Sequence, residues 1–395
     1  MYHRLKDSKG DDILKKAVHF GAGSIGRGFI GLELFQAGYH VTFVDISKTI
    51  VDEMNARKQY TVEIVGDKSK KILVENISAI NSNENPDALV QEIVDADIIT
   101  TAVGSNALKY IAPNIAKGLS KRVESNQNPL NIIAGENRVD NSSELRRLIF
   151  ENLDKSTQEK IDQFVGFPND SVDRIVPAQN HPEDPLLVRV ESYAEWFIDS
   201  KAVVGDKKIF DDIDSVELVN NLEAYTERKL FTINTGHASI AYVAYQKGIK
   251  DMFEAARDDD VIDIIWNVWK ETGTVLLEKY KFDELDYGRY VETTAKRFAN
   301  THLADEVTRV ARGPIRKISP ADRLVSPANQ LIAMGKTPSA LAKVISYVLK
   351  FDYDQDPEAV ELQTFIKEHG IDEAITKFTG AEKNSKLFEL IKSAM

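Results

Sequence analysis

The sequence contains no cysteine among its 395 residues. Disulfide bonds, thiolate zinc sites, iron–sulfur clusters and cysteine nucleophiles are therefore excluded, because each of them needs a thiol. Any catalysis must use oxygen and nitrogen groups, such as carboxylates, amides, amines and imidazoles.

Long apolar runs are also missing. No segment approaches the roughly 20 apolar residues needed to cross a bilayer, and the first residues, MYHRLKDSKGDD, lack the apolar core of a secretory signal. We therefore expect a cytoplasmic protein without a membrane partner. A content of 43% apolar and 28% charged residues is typical of globular enzymes, and a chain of this length favours two domains over one.

Basic residues are fewer than acidic ones: the sequence has 50 lysines and arginines and 62 aspartates and glutamates, which gives a net charge of −12. Proteins that bind nucleic acids usually present a basic face to the phosphates, so this balance disfavours a nucleic-acid partner. A local basic pocket can still hold a small anion on an acidic protein. We expect a small-molecule substrate and either a monomer or a small homo-oligomer.

Short apolar runs alternate with helical stretches in the first part of the chain. Residues 17–20 and 41–46 flank a helical span over about 25–38, and the runs at 97–103 and 131–134 continue the pattern. These runs lack strict polar alternation, as expected for parallel strands that are buried on both faces. The pattern predicts an α/β, Rossmann-like nucleotide-binding domain.

Other stretches complete the predicted organisation. Residues 60–80 alternate apolar positions on either side of GDKSKK, which predicts a hairpin inserted in the parallel array. Pro113 and Gly118 are expected to bracket a helical piece, and residues 165–200 to form the last strands and the crossover out of the domain. From about residue 203 amphipathic stretches dominate. We expect a nucleotide-binding domain over 15–200 and a mainly α-helical substrate domain over 201–395.

The segment KAVHFGAGSIGRGFIG places three glycines between a strand and a helix. Gly21 suits the tight bend, Gly23 the close approach of backbone to a pyrophosphate, and Gly26 the close packing of helix on strand. Asp45 closes the second strand 19 residues after Gly26, where a carboxylate can accept ribose hydroxyls. A glycine-rich structural turn is the alternative. The candidate cofactor-binding residues are Phe20, Gly21, Ala22, Gly23, Ser24, Ile25, Gly26, Asp45 and Val103.

The identity of the dinucleotide follows from Asp45. A carboxylate at this place repels the additional phosphate of NADP, and no arginine follows it directly. NAD is therefore the favoured cofactor. Flavin is the competing dinucleotide, although a flavoprotein does not by itself account for the next motif.

Lys229, Asn234 and His237 stand in ERKLFTINTGHA. On a regular helix at about 100° per residue they lie near 0°, 140° and 80°, so one broad face can present all three. Oxidation of a secondary alcohol needs a base for the hydroxyl proton and donors for the developing alkoxide. A buried lysine and an asparagine amide can serve, but a surface lysine and a packed histidine are the alternatives when each is taken alone.

Several stretches together resemble the polyol-specific long-chain dehydrogenase family: HFGAGSIGRGFIG, GENRVDNS, VDRIVP, ERKLFTINTGHA and RFANTHLADEVTRVARGPIRKISPADRL. The resemblance spans about residues 15–345. It implies that Lys229 is the general acid/base, that Asn234 and Asn137 form an oxyanion hole, that His237 orients the substrate, and that no metal is needed. Asn137 also follows an apolar run at the end of a predicted parallel strand, where ligands bind in open α/β sheets.

The same resemblance implies an NAD-dependent, reversible oxidation of mannitol 1-phosphate to fructose 6-phosphate, with hydride transfer at C5. Two alternatives remain. One is a related dehydrogenase or reductase for an unphosphorylated polyol or a hexuronate, and the other is a non-catalytic NAD-binding regulator.

A basic stretch late in the chain is the candidate phosphate site, since arginine suits bidentate contact with phosphate oxygens. The basic stretch runs from Arg309 to Lys317, and Arg323 follows it. Gly313 and Pro314 should break the helix before Arg316. A solvated basic face paired with Asp305, Glu306 and Asp322 is the alternative. In VDRIVP, Asp173 and Arg174 either shift the pKa of Lys229 or form a buried ion pair, and the ion pair is favoured. The candidate phosphate-binding residues are Arg309, Arg312, Arg316 and Lys317.

Overall fold

The computed structural model describes residues 15–66, 69–137, 140–177, 179, 181–303 and 305–395, together with the backbone of two short strands near the amino terminus. The chain divides into two compact units, Met1–Leu222 and Glu223–Met395. The division falls beyond the change of sequence texture near residue 200, because a strand at Val216–Val219 still pairs with Glu195–Asp199 in the first unit.

The strands of the first unit are, in chain order, β1 (Leu5–Lys6), β2 (Asp12–Ile13), β3 (Lys15–Phe20), β4 (Tyr39–Asp45), β5 (Tyr60–Val65), β6 (Lys70–Val74), β7 (Ile77–Asn81), β8 (Ile98–Thr101), β9 (Leu130–Ala134), β10 (Val165–Gly166), β11 (Asp170–Asp173), β12 (Val188–Glu191), β13 (Glu195–Asp199) and β14 (Val216–Val219).

A six-stranded parallel sheet in the order β10-β9-β8-β3-β4-β7 forms the centre of this unit. The chain starts the sheet at β3, proceeds to β4 on one side, and later returns to β8 on the other side. Strand order therefore reverses at β3, and open α/β sheets bind ligands at the carboxyl ends of the strands at such a switch point. The predicted Rossmann-like fold is confirmed.

Both faces of this sheet are buried, which is why its strands lack polar alternation. Neighbouring residues of β3 belong to different apolar clusters: Ala17 packs with Val41 and Phe43 on one face, and Val18 packs with Ile99 on the other. Each of these side chains is at most 1% exposed.

The predicted hairpin is present, since β5 and β6 pair antiparallel. It does not extend the parallel sheet, however. It forms a separate three-stranded sheet with β12, while β7 rejoins the parallel array beside β4. A second small sheet has the order β11-β13-β14.

The helices of the first unit are α1 (Gly31–Gln36), α2 (Lys48–Arg57), α3 (Pro86–Asp95), α4 (Leu108–Ser125), α5 (Asn141–Phe150) and α6 (Lys155–Ile161), with a π-helical turn at Gly26–Ile30 and 3₁₀ turns at Ser105–Ala107 and Lys207–Phe210.

Helix α4 corrects one expectation, because it runs through both Pro113 and Gly118 rather than being bracketed by them. A side chain at Gly118 would place its Cβ 2.4 Å from Ile93. The glycine therefore marks a close contact between α4 and α3 and not a helix end.

The second unit is mainly helical in the part that the structure describes. Its helices are α7 (Leu222–Lys229), α8 (Thr235–Lys247), α9 (Met252–Ala255), α10 (Asp259–Tyr280), α11 (Glu284–Phe298), α12 (Val307–Ala311), α13 (Pro314–Lys317), α14 (Val325–Ala333), α15 (Ser339–Leu349), α16 (Pro357–His369), α17 (Ile371–Thr379) and α18 (Lys386–Ser393), with a π-helical turn at Leu230–Asn234.

Helix α8 is the central helix of this unit. Nine of its residues, from Thr235 to Ala244, are buried, and α8 is packed against α10, α12 and α15. A helix that is buried on nearly all sides loses the one-sided apolar stripe of a surface helix. The helix that carries His237 is thus fixed by the core of its own unit.

Candidate functional site

The glycine loop after β3 has a backbone that two of its glycines make possible. Gly21 adopts a φ of +102° and donates its N–H to Val44 O at 2.8 Å. A Cβ at Gly21 would lie 2.5 Å from Ala102 O, and one at Gly26 would lie 1.9 Å from Gly21 O. Both contacts are with backbone, which cannot move aside as a flexible side chain would. Side chains are therefore excluded at these two positions.

Gly23 differs, because a Cβ built there would meet no atom within 4 Å. The space in front of its backbone is open, and the residue is exposed. The protein itself gives no packing reason for a glycine at this position. A ligand that approaches the backbone closely gives one, as a pyrophosphate does in dinucleotide-binding loops.

Asp45 ends β4 beside this loop. Its carboxylate accepts the N–H of Ala22 at 2.7 Å and that of Ser47 at 2.8 Å. The carboxylate therefore links the end of β4 to the loop after β3. Phe20, Gly21, Ala22 and Gly26 are buried, whereas Ser24, Ile25 and Asp45 are partly or fully exposed.

The helix after the glycine loop begins with a π-helical turn, Gly26–Ile30, in which Gly31 N–H bonds to Gly26 O. This i→i+5 bond is an irregularity that the glycine spacing did not indicate. A Cβ at Gly28 would lie 2.6 Å from the Val188 and Val190 side chains, and one at Gly31 would lie 2.5 Å from Phe43. Close packing of the turn against strands explains these further glycines.

Glu136 is a buried carboxylate that the sequence reasoning missed. Its two oxygens accept the Thr101 hydroxyl at 2.8 Å, the Val103 N–H at 3.0 Å and the Gly104 N–H at 2.8 Å. It thereby joins the segment after β9 to the segment after β8, at the carboxyl ends of two neighbouring parallel strands. An acidic residue two positions after the apolar run NIIA was the available signal.

Asn137 follows Glu136 at the same edge of the sheet and is exposed. Residues 138 and 139 lie outside the described part of the chain. The first unit thus gathers the glycine loop, Asp45, Val103 and Asn137 around the carboxyl ends of β3, β4, β8 and β9.

The trio of the second unit does not stand on a regular helix. α7 ends at Lys229, the π-helical turn occupies Leu230–Asn234, and α8 begins at Thr235. The angle of 140° expected between Lys229 and Asn234 is therefore wrong. An i→i+5 turn takes more residues per turn than an α-helix, so it reduces the angle between Lys229 and Asn234, and His237 follows three positions further on. Lys229 and Asn234 are both half-buried.

His237 lies against an aromatic ring. Its imidazole stacks on Phe298 with ring centroids 4.9 Å apart and an angle of 13° between the planes. Burial lowers the pKa of His237 to about 4, an effect opposed by Asp305 and reinforced by Arg309 and Lys317. The imidazole is therefore neutral near pH 7, with one nitrogen as donor and the other as acceptor.

The basic stretch is split, as expected, between α12 and α13, because Gly313 adopts a φ of +75° and Pro314 begins the next helix. Arg309 forms an ion pair with Asp305, and Arg316 with Asp322 at 3.4 Å. These are the pairings that a basic face would make without any ligand. Arg312 is exposed.

Lys317 is 4% exposed, and its ammonium donates to the carbonyl oxygens of Val310, at 2.7 Å, and Arg312. Burial, reinforced by Arg323 and Arg316, lowers its pKa to about 7. Lys317 therefore closes the carboxyl end of α12, and it is one of the charges that act on His237.

Arg174 belongs to the first unit and forms a buried ion pair, with Nη1 3.5 Å from Glu33 Oε1 and its side chain 3% exposed. It also donates to Glu191 O at 3.0 Å. Asp173 is buried as well. These contacts favour a buried ion pair for Arg174 over an effect on the pKa of Lys229, and its partner is Glu33.

Two family models match the chain. The mannitol dehydrogenase Rossmann domain covers residues 15–210, and the mannitol dehydrogenase C-terminal domain covers residues 221–395. The chain belongs to the mannitol dehydrogenase family. The resemblance to polyol dehydrogenases is thereby confirmed.

Relatives of known name are similar over almost their whole length. The chain is 44% identical over 376 residues to mannitol-1-phosphate 5-dehydrogenase of Brevibacillus brevis, which covers 95% of this chain and 96% of that protein. It is 44% identical over 375 residues to mannitol-1-phosphate 5-dehydrogenase of Bacillus subtilis, with 95% and 98% covered.

Solved structures share the fold at lower identity. D-Sorbitol dehydrogenase in its substrate-free form has a TM-score of 0.81 at 17% identity and covers 98% of this chain and 93% of its own. The Pseudomonas fluorescens mannitol 2-dehydrogenase complex with NAD and D-mannitol has a TM-score of 0.77 at 17% identity, with 97% and 91% covered. Within the described ranges, no helix is both long and apolar enough to traverse a membrane.

Proposed function

We propose that the protein catalyses the NAD-dependent, reversible oxidation of D-mannitol 1-phosphate to D-fructose 6-phosphate. The observation that supports the proposal is the presence of Lys229, Asn234 and His237 in and beside a π-helical turn, in a chain 44% identical to relatives named mannitol-1-phosphate 5-dehydrogenase. A non-catalytic NAD-binding regulator does not need this trio.

The first unit fits NAD. Gly23 leaves open space where a side chain would block a pyrophosphate, and Gly21 and Gly26 hold the loop in shape. In this proposal the Asp45 carboxylate, at the end of β4, accepts ribose hydroxyls and disfavours the additional phosphate of NADP. Bound here, NAD supplies the hydride acceptor for alcohol oxidation and, when reduced, the hydride donor for ketone reduction.

The residues of the second unit provide the proton chemistry. The Lys229 amine takes the proton of the C5 hydroxyl during oxidation and returns it during reduction. The Asn234 amide donates a hydrogen bond to the same oxygen as negative charge develops there. The neutral imidazole of His237 orients the substrate by exchanging hydrogen bonds with its hydroxyl groups. The resemblance assigns a second amide donor to Asn137.

Phosphate recognition is assigned to the basic stretch, at one or more of Arg309, Arg312, Arg316 and Lys317. Arg312 is exposed, whereas Arg309 and Arg316 already contact Asp305 and Asp322. An arginine that exchanges a carboxylate for a phosphate keeps its bidentate geometry. Binding at Arg309 or Arg316 would then release an aspartate.

The test is NADH oxidation with fructose 6-phosphate, fructose and a keto-hexuronate, each at several concentrations. We expect a kcat/KM for fructose 6-phosphate at least a hundredfold above that for the other two substrates. Equal values for fructose 6-phosphate and fructose would favour the unphosphorylated-polyol alternative. Tight NADH binding without turnover of any of the three would favour the regulator.

A further inference from the structure

The π-helical turn at Leu230–Asn234 is held from outside by one tryptophan. Trp269, on α10, donates its indole N–H to Thr232 O at 2.9 Å. An i→i+5 turn disturbs the regular i→i+4 pairing of the helix around it, so its carbonyl groups benefit from donors elsewhere. Trp269 is 4% exposed, and the bond is therefore shielded from competing water.

The same indole packs on the helix between Asn234 and His237. A Cβ at Gly236 would lie 2.8 Å from Trp269 Nε1 and Cζ2, so this glycine makes room for the ring. Trp269 also stacks on Phe298, with centroids 6.3 Å apart, and Phe298 stacks on His237. One side chain thus contacts the turn that ends at Asn234 and, through Phe298, supports the imidazole.

Two further contacts hold the turn. The Thr232 hydroxyl is 3.1 Å from the Tyr287 hydroxyl. The Thr235 hydroxyl lies 2.9 Å from Leu230 O and 2.6 Å from Arg323 O. Trp269 is distinct because its donor comes from another helix, α10, and reaches a backbone carbonyl of the turn, where a change from i→i+5 to i→i+4 pairing would move the acceptor.

We infer that Trp269 is a positioning residue, whose indole N–H holds the turn in the i→i+5 register that places Lys229 and Asn234 on one face. In a regular helix these two residues would be separated by about 140°, near the opposite edges of one broad face, so the amide would lie further from the oxygen whose proton the amine takes. The inference rests on the proposed function, because it concerns alignment for that reaction.

The test compares Trp269→Phe with Trp266→Phe. Phenylalanine at 269 keeps an aromatic ring but has no N–H to donate. Trp266 lies on the same helix, and its ring packs edge-on against that of Trp269 with the ring centroids 5.3 Å apart. It is 37% exposed, and it is therefore a matched control. For reduction of fructose 6-phosphate we expect kcat to fall at least tenfold in Trp269→Phe, with the Kd for NADH unchanged. Trp266→Phe should stay within twofold of the unaltered protein.

A double-mutant cycle with Asn234→Ala tests whether Trp269 acts by placing the Asn234 amide or by a general effect on the rigidity of the second unit. If Trp269 acts by placing Asn234, Trp269→Phe should lower kcat by less than threefold once the amide is gone. Equal losses in both backgrounds would overturn the inference. Should Trp269→Phe fail to fold, Trp269→Met takes its place in the cycle, because methionine also has no N–H to donate to Thr232 O, and the same non-additivity is expected.

The outcomes distinguish the two proposals. An unaltered protein that binds NADH but does not reduce fructose 6-phosphate would overturn both the function and the positioning role. An active unaltered protein, with kcat of Trp269→Phe equal to that of Trp266→Phe, would overturn the positioning role alone.

Discussion

Alanine substitutions at two glycines of the dinucleotide loop should affect different properties: Gly26→Ala should lower the stability of the fold, and Gly23→Ala should lower the affinity for NADH. In Gly26→Ala the new Cβ meets Gly21 O at 1.9 Å and His19 Nε2 at 2.7 Å, so the loop must shift. Forced overpacking of this kind costs about 1–3 kcal/mol of unfolding free energy. In Gly23→Ala the Cβ meets nothing within 4 Å, and the stability should change by no more than about 0.5 kcal/mol.

Cofactor affinity should show the contrast. The Cβ of Gly23→Ala occupies the space that a pyrophosphate would enter, so we expect the Kd for NADH to rise at least tenfold, or about 1.4 kcal/mol, in a fully stable protein. Urea denaturation followed by circular dichroism gives the stability, and fluorescence titration gives the Kd. Gly288→Ala is the control, because a Cβ there also meets nothing within 4 Å and the residue lies on α11.

Two results would refute this reasoning. Unchanged NADH affinity in Gly23→Ala would mean that no ligand approaches the loop at that glycine. A Gly26→Ala protein as stable as Gly23→Ala would mean that the crowding at Gly26 does not determine the loop.

Three further substitutions test other parts of the account. Lys229→Ala should abolish most turnover with the Kd for NADH unchanged; parallel loss of NADH affinity would make Lys229 structural. His19 is fully buried, and burial lowers its pKa to about 3, so stability should fall as pH drops below about 6.5, by about 1.4 kcal/mol per pH unit for this imidazole. His19→Asn should flatten that slope in urea denaturation between pH 6 and 4, and an unchanged slope would contradict it. Glu136→Gln replaces an acceptor oxygen with an amide NH₂, so it should cost about 1–3 kcal/mol in urea denaturation and raise the KM for NADH, whereas wild-type values for both would refute the bridging role.

Much of the first unit could be predicted because its signals are local. Apolar runs without alternation indicate strands buried on both faces, and β3 indeed divides Ala17 and Val18 between the two faces. The glycine spacing likewise predicted a turn that Gly21 and Gly26 make sterically necessary. Each inference needed only neighbouring residues and one physical rule.

The features that were missed depend on contacts between distant parts of the chain. The sheet that receives β5 is decided by β12, more than a hundred residues later. The π-helical turn after Lys229 is supported by Trp269, and no spacing within ERKLFTINTGHA encodes that bond. Helical angles taken from the sequence assumed regular i→i+4 pairing, so they were wrong where an external donor supports another register.

The measurement that tests the central claim most directly uses NADH deuterated at the transferable position and fructose 6-phosphate. The account predicts one deuterium in the product, at C5 of mannitol 1-phosphate, the former keto carbon, with one NADH oxidised per molecule of product. Absence of NADH oxidation by folded protein, or deuterium at any other carbon, would contradict it.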